Sequence, residues 1–172
     1  EVPIVFDPVM VATSGSLLAD DATVAAFEKL MQVATVITPN VPELQALTRL
    51  NVSNLEALEV AGQALRDRTG AIILAKGGHL PQQAEDDRPL IHDLLIDDDM
   101  VADYAVQRVD TRDSHGTGCT LASAIACGIA QGMETAAAVA RARDYVLEAI
   151  RTAPGYGHGH GPLNHGHTMG DR

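Results

Sequence analysis

The sequence predicts an α/β fold, a mostly parallel sheet flanked by helices with an added β-hairpin, and three observations predict it. Three short aliphatic or β-branched runs, Val2–Phe6, Ala34–Thr38 and Ala71–Ala75, are separated by segments of helical period, an alternation that brings successive strands in parallel. The third run, Ala71-Ile72-Ile73-Leu74-Ala75, is apolar throughout, as a strand buried on both faces must be. From Leu90 to Val109 the helical period disappears, and two strand-like runs, Leu90–Ile96 and Met100–Val109, flank Asp97-Asp98-Asp99. That is the pattern of a hairpin.

The elements follow in order. The first run ends at Asp7. A chain rarely opens inside a core strand, so a further N-terminal part of the fold is expected ahead of Glu1. Asp20 and Asp21 are candidate N-caps, and Val24, Phe27 and Met31 then recur at spacings of three and four along one helical face. The second strand stops at Pro39-Asn40, because proline cannot continue a central ladder. Pro42 suits a first helical turn, and a short helix runs from Glu43 to Leu50. The next helix starts at Asn54, turns Leu55, Leu58, Ala61 and Leu65 inward, and ends before Gly70. The third strand ends at Lys76-Gly77-Gly78. Beyond the hairpin, Gly116-Thr117-Gly118 opens an alanine-rich helix to about Gln131. Ala138, Ala142, Tyr145, Val146 and Ala149 mark another, and the segment 155–172 is rich in Gly and His. Neither an internal repeat nor an interdomain linker interrupts 1–172, which is expected to be a single domain.

Composition limits the partners. The 172 residues carry 12 Lys plus Arg against 23 Asp plus Glu, a formal charge of -11, and a phosphate-backbone partner needs a basic surface. Nucleic-acid binding is therefore excluded as an expectation. The longest apolar runs fall well short of the roughly 20 residues of a membrane helix, and the start lacks the basic and apolar regions of a signal peptide. A soluble, cytoplasmic protein is expected. The two cysteines, Cys119 and Cys127, lie eight apart, about 12 Å along a helix, too far for a disulfide. Cys127, set among alanines, is expected to be a small buried residue.

In an open α/β sheet, ligands sit beyond the carboxyl ends of the strands. The residues there are Asp7, Thr38 through Glu43, Lys76-Gly77-Gly78-His79, and Asp110 through Cys119. The last stretch, Asp110-Thr111-Arg112-Asp113-Ser114-His115-Gly116-Thr117-Gly118-Cys119, leads directly into a helix. Its glycines permit close backbone approach, and free N–H groups at the positive end of the helix dipole suit an oxyanion; a tight turn into a helix explains the same pattern. A cysteine in a first helical turn sits where thiolate is favoured over thiol, and packing is its plainer role. Asn40 and Glu43, three apart, offer hard oxygen ligands for Mg²⁺ held partly through water, or merely a carboxylate at a helix start. Lys76 is suited to a phosphate or to solvent, and Asp7 to a metal or to a turn.

Five ordered motifs resolve these alternatives together. Asp7-Pro8-Val9-Met10-Val11-Ala12, Thr38-Pro39-Asn40-Val41-Pro42-Glu43, Lys76-Gly77-Gly78-His79, His115-Gly116-Thr117-Gly118-Cys119-Thr120-Leu121 and Gly157-His158-Gly159-His160-Gly161-Pro162-Leu163-Asn164-His165 resemble the bacterial hydroxymethylpyrimidine/phosphomethylpyrimidine kinases of thiamine biosynthesis, in the ribokinase-like superfamily. The resemblance spans essentially the whole sequence. It implies ATP-dependent phosphorylation of 4-amino-5-hydroxymethyl-2-methylpyrimidine and then of its monophosphate. It implies Cys119 at the catalytic base position and at the substrate, with Gly116 and Gly118 in the anion hole. Lys76, Thr111, Thr117 and Asn40 are implied at ATP, Val9 at the pyrimidine, and Asp7 and Glu43 on the Mg²⁺ side. The implied partners are ATP and the small-molecule substrate, with no nucleic acid, no membrane, and a homodimer at full length. Thr13 stands where many relatives carry lysine before Ser14-Gly15, which puts a phosphate-side role there in doubt. The family also carries a segment before the position of Glu1 that holds much of the pyrimidine pocket, so this chain is expected to be the nucleotide-side portion.

Two alternatives stay open at this point. A pyridoxal/pyridoxine kinase shares the chemistry and the Gly-Thr-Gly-Cys motif, and a non-catalytic fragment would retain only nucleotide-side binding. Metal capture by His158, His160, His165 and His167 is the weaker reading, since the family's closing segment has the same composition and no packed second shell is foreseen.

Overall fold

Each aliphatic run forms a strand, reduced to two residues in the first two runs and nearly the full run in the third. The computed structural model describes residues 2–10, 21–81, 89–98 and 100–169. Strand β1 (Val5–Phe6) leads to helix α1 (Asp21–Met31), then β2 (Val36–Ile37), α2 (Val41–Thr48), α3 (Leu55–Thr69) and β3 (Ile72–Lys76). The hairpin β4 (Leu90–Ile96) and β5 (Val101–Gln107) follows, then α4 (Thr117–Ala130), α5 (Thr135–Arg151) and a short 3₁₀ turn (His165–Thr168). Asp20, Thr13 and the end of the first motif, Val11-Ala12, lie outside the described residues. The chain forms two compact units, residues 1–108 and 109–172.

The first unit is a five-stranded sheet in the order β1-β2-β3-β4-β5. β1, β2 and β3 are parallel, with Val5 opposite Val36 and Val36 opposite Ile72. β4 runs antiparallel to both β3 and β5. The sheet is therefore mixed: the helical crossovers impose parallel pairing on its first three strands and the tight Asp97 turn imposes antiparallel pairing on its last two. Asn54 caps α3 by accepting the Ala57 N–H at 2.8 Å, and Gly70 ends it in the left-handed region at φ 72°. Between those caps Leu58, Ala61 and Leu65 are fully buried, each leucine contributing about 2 kcal/mol of apolar transfer. Ile37, Leu44, Ile73 and Ile96 join them in the core, and Phe6 meets Phe27 edge-to-face at 5.2 Å, fastening α1 to β1.

In the second unit α4 packs on α5. A Cβ on Gly128 would lie 2.8 Å from the Ala138 Cβ, so glycine is what allows the two helices to approach. Leu121, Ala122, Ile125 and Gly128 form the buried face of α4. Cys127 corrects its sequence expectation: it is exposed. At about 100° per residue it lies about 200° around the helix from Ile125, off the buried stripe, and its alanine neighbours do not change that. Both cysteines are free thiols. No helix among the described residues is long and apolar enough to cross a membrane.

Candidate functional site

In the first unit the carboxyl ends of the three parallel strands converge on one carboxylate. Asp7, directly after β1, accepts on a single oxygen, Oδ1, from the Thr38 hydroxyl at 2.8 Å and from the Lys76 ammonium at 2.9 Å. Thr38 follows β2 and is fully buried, while Lys76 ends β3. The Asp7 and Lys76 side chains are only 12% and 15% exposed, so water screens this pair far less than an ordinary surface ion pair.

The helix start beside it is built as a capping box. Asn40 Oδ1 accepts the Glu43 N–H at 2.9 Å, and Glu43 Oε2 accepts the Asn40 N–H at 2.7 Å, with Pro42 in the first turn. Asn40 is also bridged to Lys76, whose N–H donates to the Pro39 carbonyl at 2.8 Å. Glu43 is 3% exposed. Burial pushes its carboxyl above the ordinary value of 4.5; the Lys76 ammonium and the N–H groups of Asn40 and Met10 pull it back, and the Asp7 carboxylate adds to the rise. The capping role is thus real, and it also fixes the Glu43 carboxylate close enough to Asp7 to feel its charge.

That donor set fits Mg²⁺. Among the described residues no group of three or more His, Cys, Asp or Glu side chains forms a cage. Two carboxylates completed by water and substrate phosphate oxygens are the usual magnesium arrangement, because the ion dehydrates reluctantly. Val9 is half-buried and its N–H donates to the Asp7 carbonyl at 2.9 Å, so it sits in the turn immediately after the carboxylate. Beyond β3, desolvation and the nearby charges of Lys76 and Arg108 lower His79 below its ordinary value of 6.5 and so favour the neutral imidazole.

In the second unit the loop ahead of α4 is a run of tight turns. Thr111 Oγ1 accepts the Asp113 N–H at 3.0 Å, and Ser114 N–H donates to the Arg112 carbonyl at 3.0 Å. Gly116 caps α4 at φ 86°, in the left-handed region, with no side-chain cap hydrogen bond; that conformation favours glycine. Its carbonyl takes both the N–H and the hydroxyl of Thr120, at 2.9 and 2.7 Å. The N–H groups of Gly118 and Cys119 have no hydrogen-bond partner among the described residues, and they stand at the positive end of the helix dipole. Half-buried Thr117 and exposed Cys119 share that first turn. The loop is backed by the tail: His115 N–H donates to the Gly161 carbonyl at 3.4 Å, and His115 is bridged to Pro162. Of the tail histidines, His165 and His167 pack against the Tyr145 ring, at centroid distances of 6.3 and 4.6 Å.

Two residues escaped the sequence reading. Thr38 appears there only as part of a motif, and its hydroxyl on Asp7 depends on a neighbouring strand. Asp93 is 6% exposed inside β4 and accepts the Gly77 N–H at 2.9 Å. A lone acid in the apolar run Leu90-Ile91-His92-Asp93-Leu94-Leu95-Ile96 was the available signal.

Known proteins share this chain's sequence and fold. The chain is 44% identical over 168 residues to a hydroxymethylpyrimidine/phosphomethylpyrimidine kinase of Rhizobium meliloti, covering 95% of this chain and 60% of that protein. It is 42% identical over 163 residues to the thiamine biosynthesis bifunctional protein ThiED of Geobacter sulfurreducens, covering 94% of this chain and 32% of that protein. Among solved structures, pyridoxal kinase from Staphylococcus aureus in complex with AMP-PCP is 29% identical, with a TM-score of 0.83, over 95% of this chain and 58% of that one. Phosphomethylpyrimidine kinase from Clostridium difficile is 30% identical, with a TM-score of 0.71, over 87% and 58%. The fold is ribokinase-like. With the phosphomethylpyrimidine kinase family matched over residues 1–164, a span that holds every strand and both clusters of polar strand-end and helix-start residues, the chain belongs to the phosphomethylpyrimidine kinase family.

Proposed function

We propose that the protein carrying this chain transfers the γ-phosphoryl group of ATP to 4-amino-5-hydroxymethyl-2-methylpyrimidine, and then a second phosphoryl group to the monophosphate. The observation that carries the reading is the 44% identity, over nearly all of this chain, to a kinase of that name. The chain spans about 60% of the length of such relatives, so activity is assigned to the intact protein.

Each residue has a task in this reading. Cys119 meets the substrate and takes the hydroxymethyl proton as the oxygen attacks phosphorus. The N–H groups of the Gly116–Gly118 turn hold the oxyanion of the phosphoryl group in transfer. Lys76 neutralises ATP phosphate, with Thr111, Thr117 and Asn40 as further ATP contacts, and Val9 lies against the pyrimidine. Asp7 and Glu43 would hold Mg²⁺ largely through water; bound there, the ion supplies neutralisation of the developing phosphate charge. A cytoplasmic location, where ATP is kept, and a homodimer checked by sedimentation belong to the same reading.

A second reading, pyridoxal kinase, draws on the TM-score of 0.83 to the Staphylococcus aureus enzyme. Its 29% identity is well below the 44% shared with the pyrimidine kinase. Comparing kcat/KM for the pyrimidine alcohol and for pyridoxal on the intact protein decides: preference for the alcohol is expected, and preference for pyridoxal overturns the pyrimidine assignment.

A further inference from the structure

The turn that carries Lys76 is held from outside its own strand. Asp93 stands opposite Lys76 across the β3–β4 pair, and its Oδ1 accepts the Gly77 N–H at 2.9 Å within a buried environment. The next peptide is held from the far end of the hairpin, where the Arg108 guanidinium donates to the Gly78 carbonyl. Arg108 is itself tied to the turn's far flank, its N–H donating to the Pro89 carbonyl at 3.0 Å. Gly77 has no room for a side chain: a Cβ there would lie 2.0 Å from the His92 carbonyl oxygen. Backbone and side chains of the hairpin therefore press on the turn directly behind Lys76.

We infer that the β4–β5 hairpin is a brace for the nucleotide side of the site, and that Asp93 is a positioning residue which, through the Gly77 N–H, aims the Lys76 ammonium. The inference rests on the kinase reading, in which that ammonium meets ATP phosphate. A carboxylate buried in the middle of a largely apolar strand is costly unless its hydrogen bonds are needed. Here the bond fixes the Lys76–Gly77 peptide plane, and with it the Cα from which the lysine side chain reaches Asp7 Oδ1. What matters is an acceptor oxygen at this point, more than the negative charge itself.

The test uses the intact protein, with AMP-PCP and the pyrimidine alcohol as separate probes in calorimetric titrations. Asp93→Ala leaves the Gly77 N–H without its acceptor, and AMP-PCP affinity should fall roughly tenfold, while pyrimidine affinity stays within about twofold. Asp93→Asn keeps an acceptor oxygen in place and should restore AMP-PCP affinity to within about threefold of wild type. Asp93→Ser, too short to reach Gly77 but still polar, repeats the alanine test in a protein more tolerant of the change. A folded alanine or serine variant that binds AMP-PCP like the wild type overturns the brace, even if its melting temperature has dropped. So does a folded Asp93→Asn protein with the full loss, since the charge would then be acting directly. Wild-type protein that binds the pyrimidine but not AMP-PCP overturns the kinase reading, and the brace with it.

Discussion

Replacing Lys76 with methionine separates the structural and the chemical duties of the Asp7–Lys76 pair. The two side chains are 12% and 15% exposed and meet at 2.9 Å. Removing one partner of a buried pair commonly costs about 3–5 kcal/mol, because the remaining charge is stranded. Thr38 still donates to the same Asp7 oxygen, so Lys76→Met should cost about 3 kcal/mol, the lower end of that range. Adding Asp7→Asn removes the stranded charge while leaving Thr38 an oxygen to donate to. The double variant should recover all but about 1 kcal/mol, so the coupling energy is about 2 kcal/mol plus whatever Asp7→Asn costs on its own. Urea unfolding of wild type, both single variants and the double variant measures this. AMP-PCP titration of the same proteins reads the second duty. With the phosphate-neutralising ammonium gone, affinity should stay roughly 10- to 100-fold weak in the double variant although its stability has returned. A Lys76→Met cost below about 0.5 kcal/mol would show that the pair is screened like a surface pair. Wild-type AMP-PCP affinity in the double variant would reduce Lys76 to a structural partner of Asp7.

Three further changes probe the other residues. Burial raises Glu43 above 4.5, so between that value and its raised one the folded state holds the proton more firmly than the unfolded chain, and stability falls as pH rises through the interval. Glu43→Gln should flatten that slope in pH-dependent unfolding, and in turnover assays it should raise the magnesium concentration needed; an unaltered magnesium requirement would remove Glu43 from the metal side. Cys119→Ala should slow the first phosphorylation by about 10²- to 10⁴-fold, the worth of a general base. The second step should slow much less, because a phosphate-monoester acceptor is already largely ionised at neutral pH; small, equal effects on purified alcohol and monophosphate would remove Cys119 from the base role. Gly116 has φ 86° and open space where a Cβ would go, so Gly116→Ala carries only backbone strain, about 1–2 kcal/mol in a thermal melt; no loss would mean that the loop relaxes freely.

Local signals in the sequence were reliable where local physics decides. Asn54 and Gly70 bracket α3 because a side-chain oxygen and a residue free to adopt positive φ are what helix ends need. Gly116 was legible for the same reason. Strand lengths were not. The run Ala34–Thr38 is paired as regular strand only at Val36–Ile37, since its pairing depends on neighbours that no local pattern announces. The exposure of Cys127 follows from which side of α4 faces α5, a packing fact that its alanine neighbours obscure. At the candidate site, Asp7, Asn40, Glu43 and Lys76 were each visible as polar residues after a strand. Their convergence was not: Asp7 and Lys76 are 69 residues apart, and the buried Thr38 hydroxyl that completes the cluster looks like any strand-end threonine. Asp93 differs, because an acid inside an apolar strand is itself a signal, and only its hydrogen bond to Gly77 required the fold.

Two successive phosphoryl transfers are read most directly from the stoichiometry of the complete reaction. Intact protein is supplied with the pyrimidine alcohol, excess ATP and Mg²⁺, and phosphorus NMR follows ADP, the monophosphate and the diphosphate together. The monophosphate should appear first and then be consumed, with two ADP formed for each diphosphate at completion. Accumulation of ADP without a phosphorylated pyrimidine, or no transfer to the alcohol from a protein that phosphorylates pyridoxal under the same conditions, would contradict it.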